Sequence, residues 1–159
     1  MHQSEQFAGA VFAGWHEYQG KLVTALSPLT DEQVELRVAP DLRSVEEIVT
    51  HMIGARARWM QIDEGADTIG AFATWDRPSM PLRSAGELVE GLETTWRLMQ
   101  EAIARWTPEE WAQEYPGEEG DPPVLTRAWI LWHLIEHDLH HGGELSLTLG
   151  IHDIAAPDL

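Results

Sequence analysis

The sequence contains no cysteine. Disulfides, thiolate metal sites and a cysteine nucleophile are therefore excluded. Any metal must be held by His, Asp or Glu, and any sulfur chemistry must take its thiol from a small molecule. Basic residues are scarce: 10 Lys and Arg stand against 27 Asp and Glu, a formal charge of −17 with His neutral. A surface of that sign repels phosphate backbones and anionic bilayers, so neither nucleic acid nor membrane is an expected partner. No apolar run reaches the length of a membrane span. The opening residues, MHQSEQFAGAVFAGW, lack the basic region and long apolar core of a signal peptide. A cytoplasmic location is the expectation. At 159 residues the chain suits a single domain, 1–159, with room for a substantial core.

Helical periodicity dominates what is present. Phe7, Val11, Trp15, Tyr18, Leu22 and Leu26 recur at three- and four-residue steps and predict an amphipathic helix from about Ser4 to Leu26, ended by Ser27-Pro28. Thr30 to Gln33 reads as a short capped turn carrying Val34 and Leu36. Ser44 with Glu47 forms a capping box ahead of the stripe Val45, Ile48, Val49, Met52, Ile53, Trp59 and Met60. Residues 64–82 hold Gly65, Gly70, Pro78 and Pro81, which predict an irregular connection whose Phe72, Trp75 and Arg77 cover a pocket or pack as a plain crossover. A second box, Ser84 with Glu87, opens a helix through Leu88, Leu92, Trp96, Met99, Ile103 and Trp106. Thr107-Pro108-Glu109-Glu110 starts a short helix around Trp111. An acidic loop at 115–123 precedes a last helix from about Thr126. No strand-like alternation is visible. The expected fold is all-α, a four-helix bundle with a long crossover between helices two and three. The last helix is apolar around much of its circumference, which points to a second buried surface such as a homodimer contact.

Four of the eight histidines, His133, His137, His140 and His141, lie within Trp132 to Gly150. Residues four apart on a helix share a face, so His133/His137 and His137/His141 are both candidate ligand pairs. Beside Ile130 and Leu134 on the wheel, His137 and His141 face the core more directly, while Glu144 is expected to be solvated. One helix cannot complete a tetrahedral or facial site, so a third ligand must come from elsewhere. His51 lies within the apolar stripe of helix two, three residues after Ile48, where a titratable side chain needs a reason. If helices two and four are neighbours, His51 meets the pair across the core and leaves open positions for water or substrate. His133-Leu134-Ile135-Glu136-His137 also matches an inverted zinc-protease motif, but that mechanism needs a further acidic ligand well downstream.

The stretches SVEEIVTHMIGA and WHLIEHDLHHGGELSLTLG, with the helix order and the long second connection, resemble the DinB/YfiT-like family of bacterial four-helix metal proteins. The resemblance covers nearly the whole chain. It implies a metal held by one histidine of helix two and a His-x-x-x-His pair of helix four, here His51, His137 and His141. It further implies a divalent cation, zinc or nickel, and frequent homodimers. It also implies thiol-dependent transferase or isomerase chemistry, in which the cation holds a low-molecular-weight thiol as thiolate for an electrophile. Metal-dependent hydrolysis and a non-catalytic, metal-stabilised stress or ligand-binding protein are the alternatives. Where relatives commonly read His-His-Arg-Gly-Gln, this chain reads His140-His141-Gly142-Gly143-Glu144, so the role of that arginine and glutamine is not carried over.

Overall fold

The structure, a computed structural model, describes residues 2–61, 67–117 and 122–157. The chain opens with helix α1 (His2–Leu26). A single 3₁₀ turn, Gln33–Glu35, follows, closed by Thr30 and Gln33 across each other's backbone amides. Helix α2 (Val45–Met60) starts at the predicted capping box: Ser44 Oγ accepts the Glu47 amide, and the Glu47 carboxylate accepts the Ser44 amide at 2.7 Å. One helical turn, α3 (Asp67–Gly70), precedes α4 (Ala85–Ile103), which begins at the Ser84–Glu87 box. Then come α5 (Pro108–Trp111), strands β1 (Glu114–Pro116) and β2 (Val124–Thr126), and α6 (Arg127–Ile151), capped by Thr126. Helix α2 is central, packed on both α4 and α6, while α1 packs on α4.

Several expectations are corrected. The connection after α2 is not free of helix, because α3 fits one turn ahead of Gly70; Gly65 lies outside the described residues. The acidic 115–123 segment is flanked by an antiparallel pair, Glu114 opposite Thr126 and Pro116 opposite Val124. Three residues per strand are too few to show a period of two, which is why no alternation was legible; residues 118–121 lie outside the described residues. Trp106 falls beyond the end of α4 and packs edge-on against Trp111 at 5.2 Å. Phe7 sits on the predicted stripe of α1 but is 73% exposed, because the packed part of that helix begins further along the chain.

The buried side chains form two apolar clusters. One gathers Leu22, Leu26, Ile48, Val49, Met52, Leu88, Leu92, Leu145 and Leu149. The other gathers Trp15, Ala57, Met60, Trp96, Met99, Ile130 and Leu134. Each long helix carries a buried polar residue near the junction of the two clusters: Gln19, Arg56, Thr95 and Asp138. Arg56 is completely enclosed. Its Nη2 donates to Asp138 Oδ2 and Gln19 Oε1, both at 2.7 Å, and its Nη1 donates to the Leu92 carbonyl. Trp15 Nε1 donates to the same Asp138 oxygen at 2.8 Å. Trp15 is therefore a core residue.

Helix α6 runs unbroken through Gly142-Gly143. Gly142 faces α1, and the Tyr18 hydroxyl occupies the space a Cβ would need, whereas Gly143 faces open space. The two glycines should thus respond oppositely to alanine. Gly143→Ala gains up to about 1 kcal/mol from helix propensity. Gly142→Ala forces Tyr18 out of place and costs about 1–3 kcal/mol in overpacking. Thermal denaturation of the two variants checks this; equal shifts would refute the close approach of α1.

Candidate metal centre

A histidine on the buried side of a helix loses water as a hydrogen-bond partner and needs one from another element. Here α2 and α6 bring His51, His137 and His141 together, with one ring nitrogen from each lying within 4.8 Å of the others. His51 Nε2 stands 3.2 Å from His137 Nε2, and the ring centroids of His137 and His141 are 4.3 Å apart. The remaining nitrogens decide the tautomers. His51 Nδ1 lies 2.9 Å from Asp76 Oδ2, and His141 Nδ1 lies 2.7 Å from Glu144 Oε2. An ionised carboxylate only accepts, so each Nδ1 carries the proton and each Nε2 presents a lone pair to the cluster.

Burial pushes the His137 imidazolium down to about 3, helped by the charges of His141 and His51. Burial also lowers His141, although the hydrogen bond and charge of Glu144 partly oppose it. Neutral rings are the form that binds a cation. Tetrahedral zinc with bonds of about 2.0–2.1 Å places its ligand nitrogens about 3.3 Å apart, close to the observed His51–His137 separation. The three histidines fit a divalent cation on separation, and the two carboxylates set the tautomers of His51 and His141 for it. His137 differs from its partners: its Nδ1 is buried with no hydrogen-bond partner. The other two histidines of α6 stand apart. His133 stacks on Trp129, 5.2 Å between centroids and 5° between planes. His140 is exposed and makes a loose 3.7 Å contact with Glu144. That contact gives a second grouping, His140, His141 and Glu144, that shares His141 with the first.

Two of the orienting groups were not foreseen. Asp76 comes from the connection between α3 and α4, where no periodicity marks it. Arg58 anchors it with a two-pronged grip of 2.7 and 2.8 Å and also donates to the Ala73 carbonyl. Burial alone would raise the Asp76 carboxyl, but the Arg58 and His51 hydrogen bonds outweigh it and hold the carboxyl below its usual range. Glu144, expected to be solvated, is instead half-buried and committed to His141. Its i,i+3 spacing was the available signal, but the rotamers decide the contact. Two clefts open beside the histidines. One of about 300 Å³ is lined by His51, Trp75, Asp76 and Arg77. The other, of about 340 Å³, is lined by Glu144, Leu42, Leu147 and Thr148. Of the three residues named for this connection, Trp75 and Arg77 line a pocket, whereas Phe72 packs against both apolar clusters, so each of the two sequence readings holds in part.

The profile of the DinB family matches residues 1–150. The chain belongs to the DinB family. Its fold is similar to that of a DinB-like protein from Bacillus cereus, with a TM-score of 0.73, 20% identity, and coverage of 94% of this chain and 95% of that one. It is also similar to a conserved protein from Enterococcus faecalis, with a TM-score of 0.62, 13% identity, and coverage of 88% and 93%. Among curated proteins no significant match is found. Within this DinB chain no described helix is long and apolar enough to cross a membrane.

The Asp76–His51 contact makes a separable prediction. Asp76→Asn keeps the shape but removes the charged acceptor of the His51 Nδ1–H. Zinc affinity, measured by competition with a chromophoric chelator, should fall by about 10–100-fold with little change in metal-free stability. Unchanged affinity would mean that Asp76 serves only to pin the connection to Arg58.

Proposed function

We propose that this DinB protein is a metal-dependent transferase or isomerase acting with a low-molecular-weight thiol. The carrying observation is the convergence of three imidazoles, two with their Nε2 lone pairs set by carboxylates, in a chain that has no sulfur nucleophile of its own. A divalent cation, zinc or nickel, would be held by His51, His137 and His141 and would supply a lowered thiol pKa, making the reactive thiolate available at neutral pH. The protein's own residues do the rest. Asp76 and Glu144 hold two rings in the binding tautomer, Arg58 keeps Asp76 ionised, and the two clefts leave room for the thiol and its electrophile. Hydrolysis with Glu144 as base is the weaker reading, because its Oε2 is occupied by His141. A purely structural cation is disfavoured by the clefts, since a stapling site is normally closed.

Metal analysis of the purified protein and of His51→Ala, paired with a thiol-consumption assay against a soluble electrophile, tests the reading. The expected result is stoichiometric metal in the wild type, its loss in the variant, and a rate that requires both metal and thiol. Metal-loaded protein with no rate above background for any cellular thiol would remove the enzymatic claim.

The finer architecture follows the same reading: α1, α2, α4 and α6 form a four-helix bundle, and the 61–84 connection is its crossover. We read the molecule as a cytoplasmic homodimer. Trp132, Leu139, Leu147 and Ile151 of α6 are 46–58% exposed and spaced along one side of the helix. Leu139→Glu should convert a dimer to a monomer in sedimentation velocity. A wild-type protein that sediments as a monomer at high concentration would end the dimer reading.

A further inference from the structure

In a chain with 27 acidic residues, a basic side chain without a carboxylate is conspicuous. Lys21 and the arginines at 37, 56, 58, 83, 97 and 127 each hold one. Arg43 and Arg77 hold none among the described residues, and both are exposed. Both line the cleft that contains His51. Arg43 also lines the cleft that contains Glu144 and so stands between the two openings flanking the histidines. The acids of the first cleft are already engaged. Asp76 is taken by Arg58 and His51, and Glu47 by Arg37 and the Ser44 amide. Glu46 accepts the Arg83 amide, and its burial pushes its carboxyl up. None of these carboxylates neutralises Arg43 or Arg77.

We propose that Arg43 and Arg77 form the recognition site for a small carboxylate-bearing substrate whose reactive end lies at the histidine cluster. The inference rests on the proposed function only for the position of that reactive end. The net charge of −17 repels anions at long range, so an anion must be captured locally. A guanidinium suits this task because its planar fork matches a carboxylate with two parallel hydrogen bonds. Trp75, also in this cleft, offers an apolar wall for the carbon chain. The carboxylate can belong to the thiol or to its acceptor.

Calorimetric titration of the zinc-loaded protein at low ionic strength tests this. The probes are succinate against uncharged succinamide, and 3-mercaptopropionate against 2-mercaptoethanol. Succinate should bind, succinamide should not, and Arg43→Gln or Arg77→Gln should each weaken succinate by about tenfold. Arg97→Gln, an exposed arginine paired with Glu101 elsewhere on α4, should change nothing. Succinate binding that is indifferent to both cleft arginines overturns the proposal, as does succinate binding lost in His51→Ala while the arginine variants retain it. Arginine-dependent binding that survives in His51→Ala upholds the site even where the metal reading fails. A preference for 3-mercaptopropionate that Arg43→Gln erases assigns the carboxylate to the thiol. Equal binding of the two thiols, with succinate still dependent on the arginines, assigns it to the acceptor.

Discussion

Replacing His137 with alanine will abolish tight metal binding while leaving the metal-free protein at least as stable as the wild type. The two halves of this result have different origins. His137 meets both His51 and His141, with its Nε2 3.2 Å from His51 Nε2 and ring contacts to both. Losing a ligand should cost more affinity than losing an orienting partner, so the drop should exceed about a hundredfold. In the metal-free state the same ring is a burden. Burial drives its pKa to about 3 and its Nδ1 is buried without a partner, while its Nε2 has only a hydrogen bond to His51 Nε2. Such a group contributes little to folding and is kept for what it binds. The measurement is thermal unfolding with and without zinc. A ligand at about a thousand times its dissociation constant stabilises the wild type by about 4 kcal/mol. His137→Ala should lose that increment and keep the metal-free midpoint. A variant that retains the full zinc-induced shift would show that the cation is held elsewhere, and a collapsed metal-free midpoint would show His137 to be a packing residue.

Asp138→Ala should be among the most destabilising single substitutions in the chain, by about 3–5 kcal/mol, against a typical total stability of about 5–15 kcal/mol. Asp138 and Arg56 are both 0% exposed and meet in the polar layer between the two apolar clusters. Removing the carboxylate leaves an enclosed guanidinium with only Gln19 and the Leu92 carbonyl, and it also strips Trp15 Nε1 of its acceptor. Desolvation of that cation is then uncompensated. Removing both charges is a different experiment. Arg56→Met with Asp138→Leu fills similar volume with no buried charge, and pairs so replaced are often neutral or stabilised. Urea unfolding should give a large drop in midpoint for Asp138→Ala and recovery of most of it in the double variant. If the double variant is as unstable as the single, the pair stabilises the fold in its own right.

The pair also shows why part of the site lay beyond sequence reading. Arg56 is three residues after Ile53 and four after Met52, so its place on the apolar stripe of α2 was an available anomaly. Its partner is 82 positions away and carries no local mark beyond following His137. Asp76 is harder still, since it lies in a connection without periodicity, yet it sets the tautomer of His51 from 25 residues downstream. Glu144 had the right spacing to reach His141, but spacing alone does not distinguish a hydrogen-bonded rotamer from a solvated one.

The sequence by itself determined the four long helices, two of their starts through capping boxes, and the side of each helix on which His51, His137 and His141 leave the backbone. These are local properties: a residue's direction from its helix follows from the 100° step between neighbours, and a capping box closes over four residues. It also determined that no thiol of the chain's own can take part, since that is composition. Only the tertiary structure decided that α2 and α6 are rotated so that the imidazoles face one another. It likewise decided that carboxylates from a connection and from the next helical turn fix two of their tautomers, and that Arg43 and Arg77 border the resulting clefts. Those facts depend on the mutual rotation and separation of elements distant in sequence. Such quantities are set by the packing of the whole core and are written into no single segment of the chain.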